Sequence, residues 1–480
     1  MKAIEETATS ILDRPQAQAL LEDATVSAAA VRGCQGRLER FLERYLPWFY
    51  RREQRDNARI VVKGLISGLE RKTCEPIARE HGVQRKPIQF FVGNGKWDDE
   101  AVMGELRRHV RQELADANAV LAIDPSAFAK KGTESCGVAR QWCGRLGKVE
   151  NCQVGVFLGY AAAGGHAVVD RRLYLPQDWA TDARRRDKCH VPAEVEFREK
   201  WRIGLEMLDR CCGELPHGWV TGDDEMGRAS ALRQALRQRG ERYVLDVPCN
   251  TLVRDLEARR PPRKRAGKGR RRKVPFCRAD AWARRQPASR WRTFTVGDGD
   301  KGPRVVQALT VRVKAKDDHK GVGPEERLLV VRTVEGHPRT RYSLSNADPR
   351  VPLRDLVRAH AEHHRIEQMF QQGKGQAGLN HYEVRSWVGW HHHMTLSLLA
   401  LWFLSLERQR AGGKKPGRDG VADPGDLLAV APRPAAQRRP DRPAGQCGSA
   451  PQRRGSHLPL ARRHGRLSAA PPPHGFGVNR

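Results

Sequence analysis

Apolar residues recur at three- and four-residue steps through RLERFLERYLPWFYRREQRDNARIVVKGLISGLE, with charged residues between them. That period predicts helices across residues 35–115, interrupted at Pro47. The next segment, CEPIAREHGVQRKPIQFFV, has helix–turn–helix character. A short helix leads to Gly82 at the turn, and a second, basic helix carries Gln84, Arg85, Lys86 and Gln89. It reads as a DNA-contacting pair or as a plain helical hairpin.

From residue 116 to 250 the period changes. AVLAID is an apolar run of strand length ending at Asp124, and CQVGVFLGYAAAGGHAVVDRRLYLP predicts a hairpin turning at Gly164 and Gly165. VEFREKWRIGLEMLDRCC has helical spacing, with Phe197, Trp201, Leu205 and Leu208 on one face; Cys211 and Cys212 belong to its packing. WVTGDD is a short strand, ASALRQALRQRGE a helix capped at Gly240, and RYVLDVP another strand. Residues 251–350 hold a basic run, RRPPRKRAGKGRRRK, then the strand-like segments WRTFTV, RVVQALTVRV, ERLLVVRTV and TRYSLSN. Helical spacing returns in VPLRDLVRAHAEHHRIEQMFQQGK, and MTLSLLALWFLSL (394–406) is too short to span a bilayer comfortably and predicts a buried helix. Beyond residue 411 no period is visible. That Pro-, Arg- and Gly-rich tail is expected to be disordered, or to be out of frame, as shifted reading of GC-rich DNA would produce.

Composition adds the partner. The chain has 480 residues, a formal net charge of +31 and a 39% hydrophobic share. Such a charge points to nucleic acid or an anionic surface, although Arg-rich usage in high-GC genomes gives charge without binding. The 11 cysteines form no C-x-x-C pair, which argues against a zinc ribbon or disulfide framework and for reduced thiols in a cytosol. No leader-like segment opens the chain, and no membrane association is expected.

The candidate chemistry lies in carboxylates. Asp124 ends the first strand, Asp223 and Asp224 follow the WVTG strand, and Glu367 sits in the late helix with Lys374 seven residues on, along nearly the same line. Each also has an ordinary reading: Asp124 as a strand-end residue before a turn at Pro125 and Ser126, Asp224 as an N-cap for the helix after Gly227, Glu367 as one end of a surface ion pair. Lys130, Lys131, Arg365, Lys374 and the loop residues Arg270, Arg271, Arg272 and Lys273 are candidate phosphate contacts, or a solvated basic face. His391, His392 and His393 point in different directions on a helix and read as packing and surface positions.

Together these motifs resemble bacterial insertion-sequence transposases of the DDE superfamily, in the cut-and-paste branch with a β-strand insertion before the final Glu. Glu367 and Lys374 keep the E-x6-K half of that branch's Y-x2-R-x3-E-x6-K signature, while His360 and His363 stand at the Tyr and Arg positions, and Arg365 could supply the missing charge. Asp223 matches the D-x-x-Y-G pattern counted back from Gly227, with Met226 in place of Tyr. The segments DPSAFAKKGTESCGVARQWCGRLGKVENCQVGVFL and LYLPQDW add to the resemblance, which covers roughly residues 35–406.

It implies an α/β chain with a ribonuclease-H-like mixed-sheet catalytic core, a helical N-terminal domain, a β-rich insertion and a disordered C-terminal tail. The boundaries expected are a flexible 1–34, a helical DNA-binding 35–115, core residues 116–250, the insertion at 251–350, the completing helices at 351–410 and the tail at 411–480. It further implies that Asp124, Asp223 and Glu367 hold Mg²⁺, with Mn²⁺ as a substitute, that the substrate is DNA at element ends and targets, and that a homo-oligomer acts on it. A structure-specific nuclease without strand transfer and a catalytically dead, decayed copy are the rival readings.

Overall fold

The structure is a computed structural model that describes residues 28–144, 146–261, 273–299, 302–317, 321–334 and 339–410. All of them lie in one compact unit. Five helices open it: α1 (Ala28–Tyr45), α2 (Arg52–Ile66), α3 (Cys74–Glu80), α4 (Arg85–Asn94) and α5 (Asp99–Leu114). Helix α1 starts before residue 35, because Cys34 already lies in the core beside Leu38 and Phe41. Pro47 falls in a single 3-10 turn between α1 and α2, where its fixed φ is tolerated.

The strands follow: β1 (Val120–Ala129), β2 (Ala139–Cys143), β3 (Lys148–Ala162) and β4 (Gly165–Leu173). Helix α6 (Lys200–Cys211) leads to β5 (Trp219–Gly222), α7 (Asp224–Arg228), α8 (Ser230–Gln238) and β6 (Tyr243–Val247). The predicted hairpin is β3–β4, paired Ala162↔Gly165. Strand β1 runs parallel to β5 and antiparallel to β3, and β5 runs parallel to β6. The core order is therefore β4-β3-β1-β5-β6, with β2 an added edge on β3 that the sequence reading did not contain. Three local expectations are corrected. Helix α6 begins at Lys200, so Phe197 precedes it and is exposed; the buried face is Ile203, Met207, Leu208 and Cys211, with Trp201 and Leu205 at its flank. Pro125 and Ser126 form no turn: β1 continues along β3 to Ala129, and β5 stops at Gly222, which leaves that edge of β1 open beside Pro125. The histidine triplet is wholly buried, with no surface member.

The segment between Asp223 and Glu367 continues the same sheet. Strands β7 (Leu252–Asp255), β8 (Cys277–Arg278), β9 (Arg292–Gly299), β10 (Gly302–Lys316), β11 (Val322–Thr333) and β12 (Thr340–Ser345) join it through β12, which pairs antiparallel with β6. The described strands make one 12-stranded sheet. Two long helices complete the unit, α9 (Leu353–Gly375) and α10 (Trp387–Arg410).

Helix α10 is buried from Trp387 to Glu407 except at Val388, and it ties the opening helices to the sheet. Phe403 packs edge-on to Phe41 at 5.3 Å, His392 stacks on Trp97 at 3.8 Å, and Arg171 of β4 donates to Thr395 at 3.1 Å. His391, His392 and His393 spend their nitrogens on the carbonyls of Trp387, Val92, Trp97 and Gly378. Among the described residues no helix is long and apolar enough to cross a membrane. The 411–480 tail, residues 1–27 and Arg270, Arg271 and Arg272 lie outside the described residues.

Candidate active site

The sheet register brings the first two carboxylates together. Ile123 of β1 pairs with Gly222 of β5, so Asp124 and Asp223 leave neighbouring parallel strands at the same level. Asp223 also begins α7: its Oδ1 accepts from the Met226 backbone N–H at 2.9 Å. The N-cap is thus Asp223 rather than Asp224, and the helix starts before Gly227. Asp224 is exposed and lies 3.8 Å from Arg228. Gly227 is needed where it stands, because a Cβ there would lie 1.9 Å from the Asp246 carbonyl oxygen of β6.

Glu367 arrives on α9, which packs across β3 through Ile366 and Met369. Gly159 of β3 permits this approach, since a Cβ there would lie 1.7 Å from Ile366 Cδ1. The seven-residue step then puts Lys374 on the same wall, where its Nζ donates to Ser126 Oγ at 2.9 Å. Asp124, Asp223, Glu367 and Lys374 line one cleft of about 680 Å³.

The cleft is electrostatically loaded. Burial, then the charges of Asp223 and Glu367, push the Asp124 carboxyl far above the ordinary range, and Lys374 opposes them. Burial raises Asp223 to about 7; the Met226 N–H pulls it down, and Glu225 and Asp224 push it up. Glu367 is half-exposed and paired with Arg341 of β12 at 3.3 Å. Among the described residues no three carboxylate, imidazole or thiol groups converge closely enough to hold a metal ion as they stand.

The basic candidates divide. Lys131 and Lys273 are exposed. Lys130 lies 3.4 Å over the Tyr382 ring, and burial lowers it to about 8. Arg365 donates to the Ala162 carbonyl at 3.1 Å and pairs with Glu362 at 3.0 Å, and it does not line the cleft. Cations that the sequence reading missed stand in or beside the cleft: Lys200 lines it and pairs with Glu225 at 2.8 Å, and Arg341, outside its lining, reaches both Glu367 and Asp246 at 3.3 Å. Asp246 is the mid-strand carboxylate of VLDVP, a visible anomaly in an apolar strand. Burial opposes its ionisation, yet His360, whose Nδ1 lies 3.2 Å away, and the Ser343 hydroxyl at 2.6 Å hold it well below the usual range. His363 is buried beside them, its Nδ1 without a hydrogen-bond partner among the described residues.

Two aspartates level with each other on adjacent parallel strands, a glutamate brought over them by a later helix and a lysine on the same wall are the residue types that phosphoryl transfer of the nuclease class uses. The family model for DDE superfamily endonucleases matches residues 44–303, and the chain belongs to that family. Asp124 and Asp223 fall inside the matched span and Glu367 beyond it. A probable transposase for insertion sequence element IS701 from Microchaete diplosiphon is 29% identical over 190 residues, 38% of this chain and 49% of that protein. The chain therefore spans about half the length of this curated relative. A solved piggyBac transposase synaptic complex with hairpin DNA is 10% identical and overlaps 81% of this chain and 76% of its own, with a TM-score of 0.36.

Proposed function

We propose that the chain is an insertion-sequence transposase that cleaves double-stranded DNA at element ends and transfers the freed strand to target DNA. The observation that carries this is the convergence of Asp124, Asp223, Glu367 and Lys374 on one cleft of a basic protein.

The donor set fits a hard divalent cation: every candidate ligand is a carboxylate oxygen, and the aspartates repel one another unless a cation or protons arrive. Asp124 and Asp223 would hold Mg²⁺ or Mn²⁺, with Glu367 as the third ligand once it leaves Arg341. Bound there, the metal supplies activation of the attacking oxygen and stabilisation of the leaving 3′ oxygen. The protein's own part is positioning. Lys374, anchored at Ser126, presents its ammonium to a phosphate oxygen, and exposed Lys131 and Lys273 attract the backbone without reading its sequence. The same cleft serves cleavage and strand transfer, since both are displacements at a phosphodiester. A homo-oligomer would hold two element ends, and the bacterial nucleoid would be its place of work.

The test is a Mg²⁺-dependent assay on the DNA flanking this reading frame, comparing the wild type with Glu367→Gln. Specific cuts and joined products that fall about a hundredfold or more in the variant are expected. Cuts without joined products would leave a structure-specific nuclease. The pairing of Glu367 with Arg341 favours a second reading, an inactive DNA-binding copy; binding without cuts from either protein would select it.

A further inference from the structure

A second cavity of about 190 Å³ adjoins the acidic cleft, and the two share Glu367 and His363 as a wall. Its other side is cationic: Arg304 on β10, Arg339 just before β12, and Arg341. Strand alternation explains the grouping. Val306 pairs with Thr333, Ala308 with Val331, and Val331 with Arg341, so these residues share one face of the sheet. Under α9 that face is apolar, with Val306, Ala308 and Val331 in one cluster. Where the helix cover ends, arginine replaces valine. A β-bulge falls at this point, setting Val296 and Gly297 against Arg304, with Gly297 at φ 123°. Bulges of this kind re-aim side chains beside active sites.

Three features of the cavity point to an anion. Arg304 is half-buried and has no hydrogen-bonded or ion-paired partner among the described residues, and burial lowers its pKa. A guanidinium taken partly out of water without a partner is unfavourable until an anion meets it. His363, 3% exposed, lines the same cavity, and its Nδ1 has no hydrogen-bond partner among the described residues. Arg341 is already spread between Asp246 and Glu367 at 3.3 Å each, and these are carboxylates that the proposed metal and His360 also claim. Planar guanidinium forks match carboxylate and phosphate oxygens alike, and in the DNA-cleavage reading the anion that arrives is backbone phosphate.

We propose that this cavity is a phosphate subsite that grips the DNA backbone beside the scissile linkage, with Arg304, Arg339 and Arg341 as its donors. The proposal rests on the DNA-cleavage reading for its location and on the arginine geometry for its chemistry. When a backbone phosphate enters, Arg341 gains a competing partner and Glu367 is released toward the aspartates. Substrate would thereby complete the acidic site.

The experiment reads binding rather than cleavage. The full chain and Arg304→Gln are titrated, without divalent metal, against a labelled duplex of the flanking DNA carrying single methylphosphonate linkages scanned along each strand. Arg304→Gln should weaken binding of the unmodified duplex about five- to tenfold and reduce the slope of log affinity against log salt by about 0.9. One linkage that weakens the wild type by a similar factor should weaken Arg304→Gln no further. Arg304→Lys should restore the slope while recovering only part of the affinity. Penalties that multiply at every linkage, or an unchanged salt slope, would overturn the subsite. Arg339→Gln repeats the test should Arg304→Gln fail to fold. A chain that shows the linkage-specific effect and never cuts with Mg²⁺ would retain the subsite while the cleavage reading fails.

Discussion

At the scale of single residues, the aspartate pair has a measurable signature. The Asp223 carboxyl rises from an ordinary 3.8 to about 7 in the folded chain, mainly through burial. The folded state then binds a proton that the unfolded state has released, so stability falls as pH rises between about 4 and 7. In EDTA the melting temperature of the wild type should drop across that window, and Asp223→Asn should drop less. Mg²⁺ should raise the wild-type melting temperature at pH 7.5 more than at pH 5, and should do little for the variant. Identical pH profiles for the two proteins would contradict the placement of Asp223 beside Asp124. These residues were candidates early: a carboxylate closing an apolar run is a recognisable pattern, and the family resemblance singled out Asp124 and Asp223. Arg341 and Asp246 were not legible as site residues. Each is one charge inside a strand, and only the pairing Ser343↔Asp246 sets them together.

Among elements, the helix that carries Glu367 depends on a glycine far away in sequence. Ile366 of α9 sits where a Gly159 Cβ would be. Gly159→Val should overpack this contact, destabilise the fold by about 1–3 kcal/mol and tilt α9 away from the strand ends. Cleavage should fall further than the unfolding midpoint accounts for, because a displacement of about 1 Å at a catalytic group can reduce rate a hundredfold. Activity that tracks folded fraction alone would show that Gly159 matters only for packing. The period of the helix predicted Glu367 and Lys374 on one face, and both line the cleft. Arg365, offered by the resemblance as a substitute charge, turns instead to the end of β3. The signature positions occupied by His360 and His363 look like losses in the sequence. In the fold they border a network through Asp246 that carries its own arginine, Arg341.

The whole molecule is built around α10. Its residues from Trp387 to Glu407 are almost entirely buried between the opening helices and the sheet, and Arg37 pairs with Glu407 across that contact. The helical region 35–115 therefore shares a core with the catalytic strands. Expressed alone, residues 116–410 should be insoluble or molten, because the removal leaves the α10 face open to water. The full chain should unfold in one transition that coincides by circular dichroism and tryptophan fluorescence. Two separated transitions would mark the opening helices as an independent domain. Charge acts at this scale as well: a chain at +31 should bind duplex DNA with an affinity that falls steeply with salt.

Local pattern and composition pointed to the helices, most of the strands, the hairpin, the candidate carboxylates and a polyanion as partner. Each of these follows from side-chain period, turn residues or summed charge, and none needs knowledge of what lies across the fold. Tertiary structure decided which charges meet. It set Asp124 level with Asp223 through a parallel pairing, brought the strands before Glu367 into the core sheet, and placed Arg341 and Arg304 around a cavity next to the cleft. Those outcomes depend on strand register and on the close approach at Gly159, where a shift of one residue turns every side chain to the other face. A register between distant segments leaves no local mark in the chain.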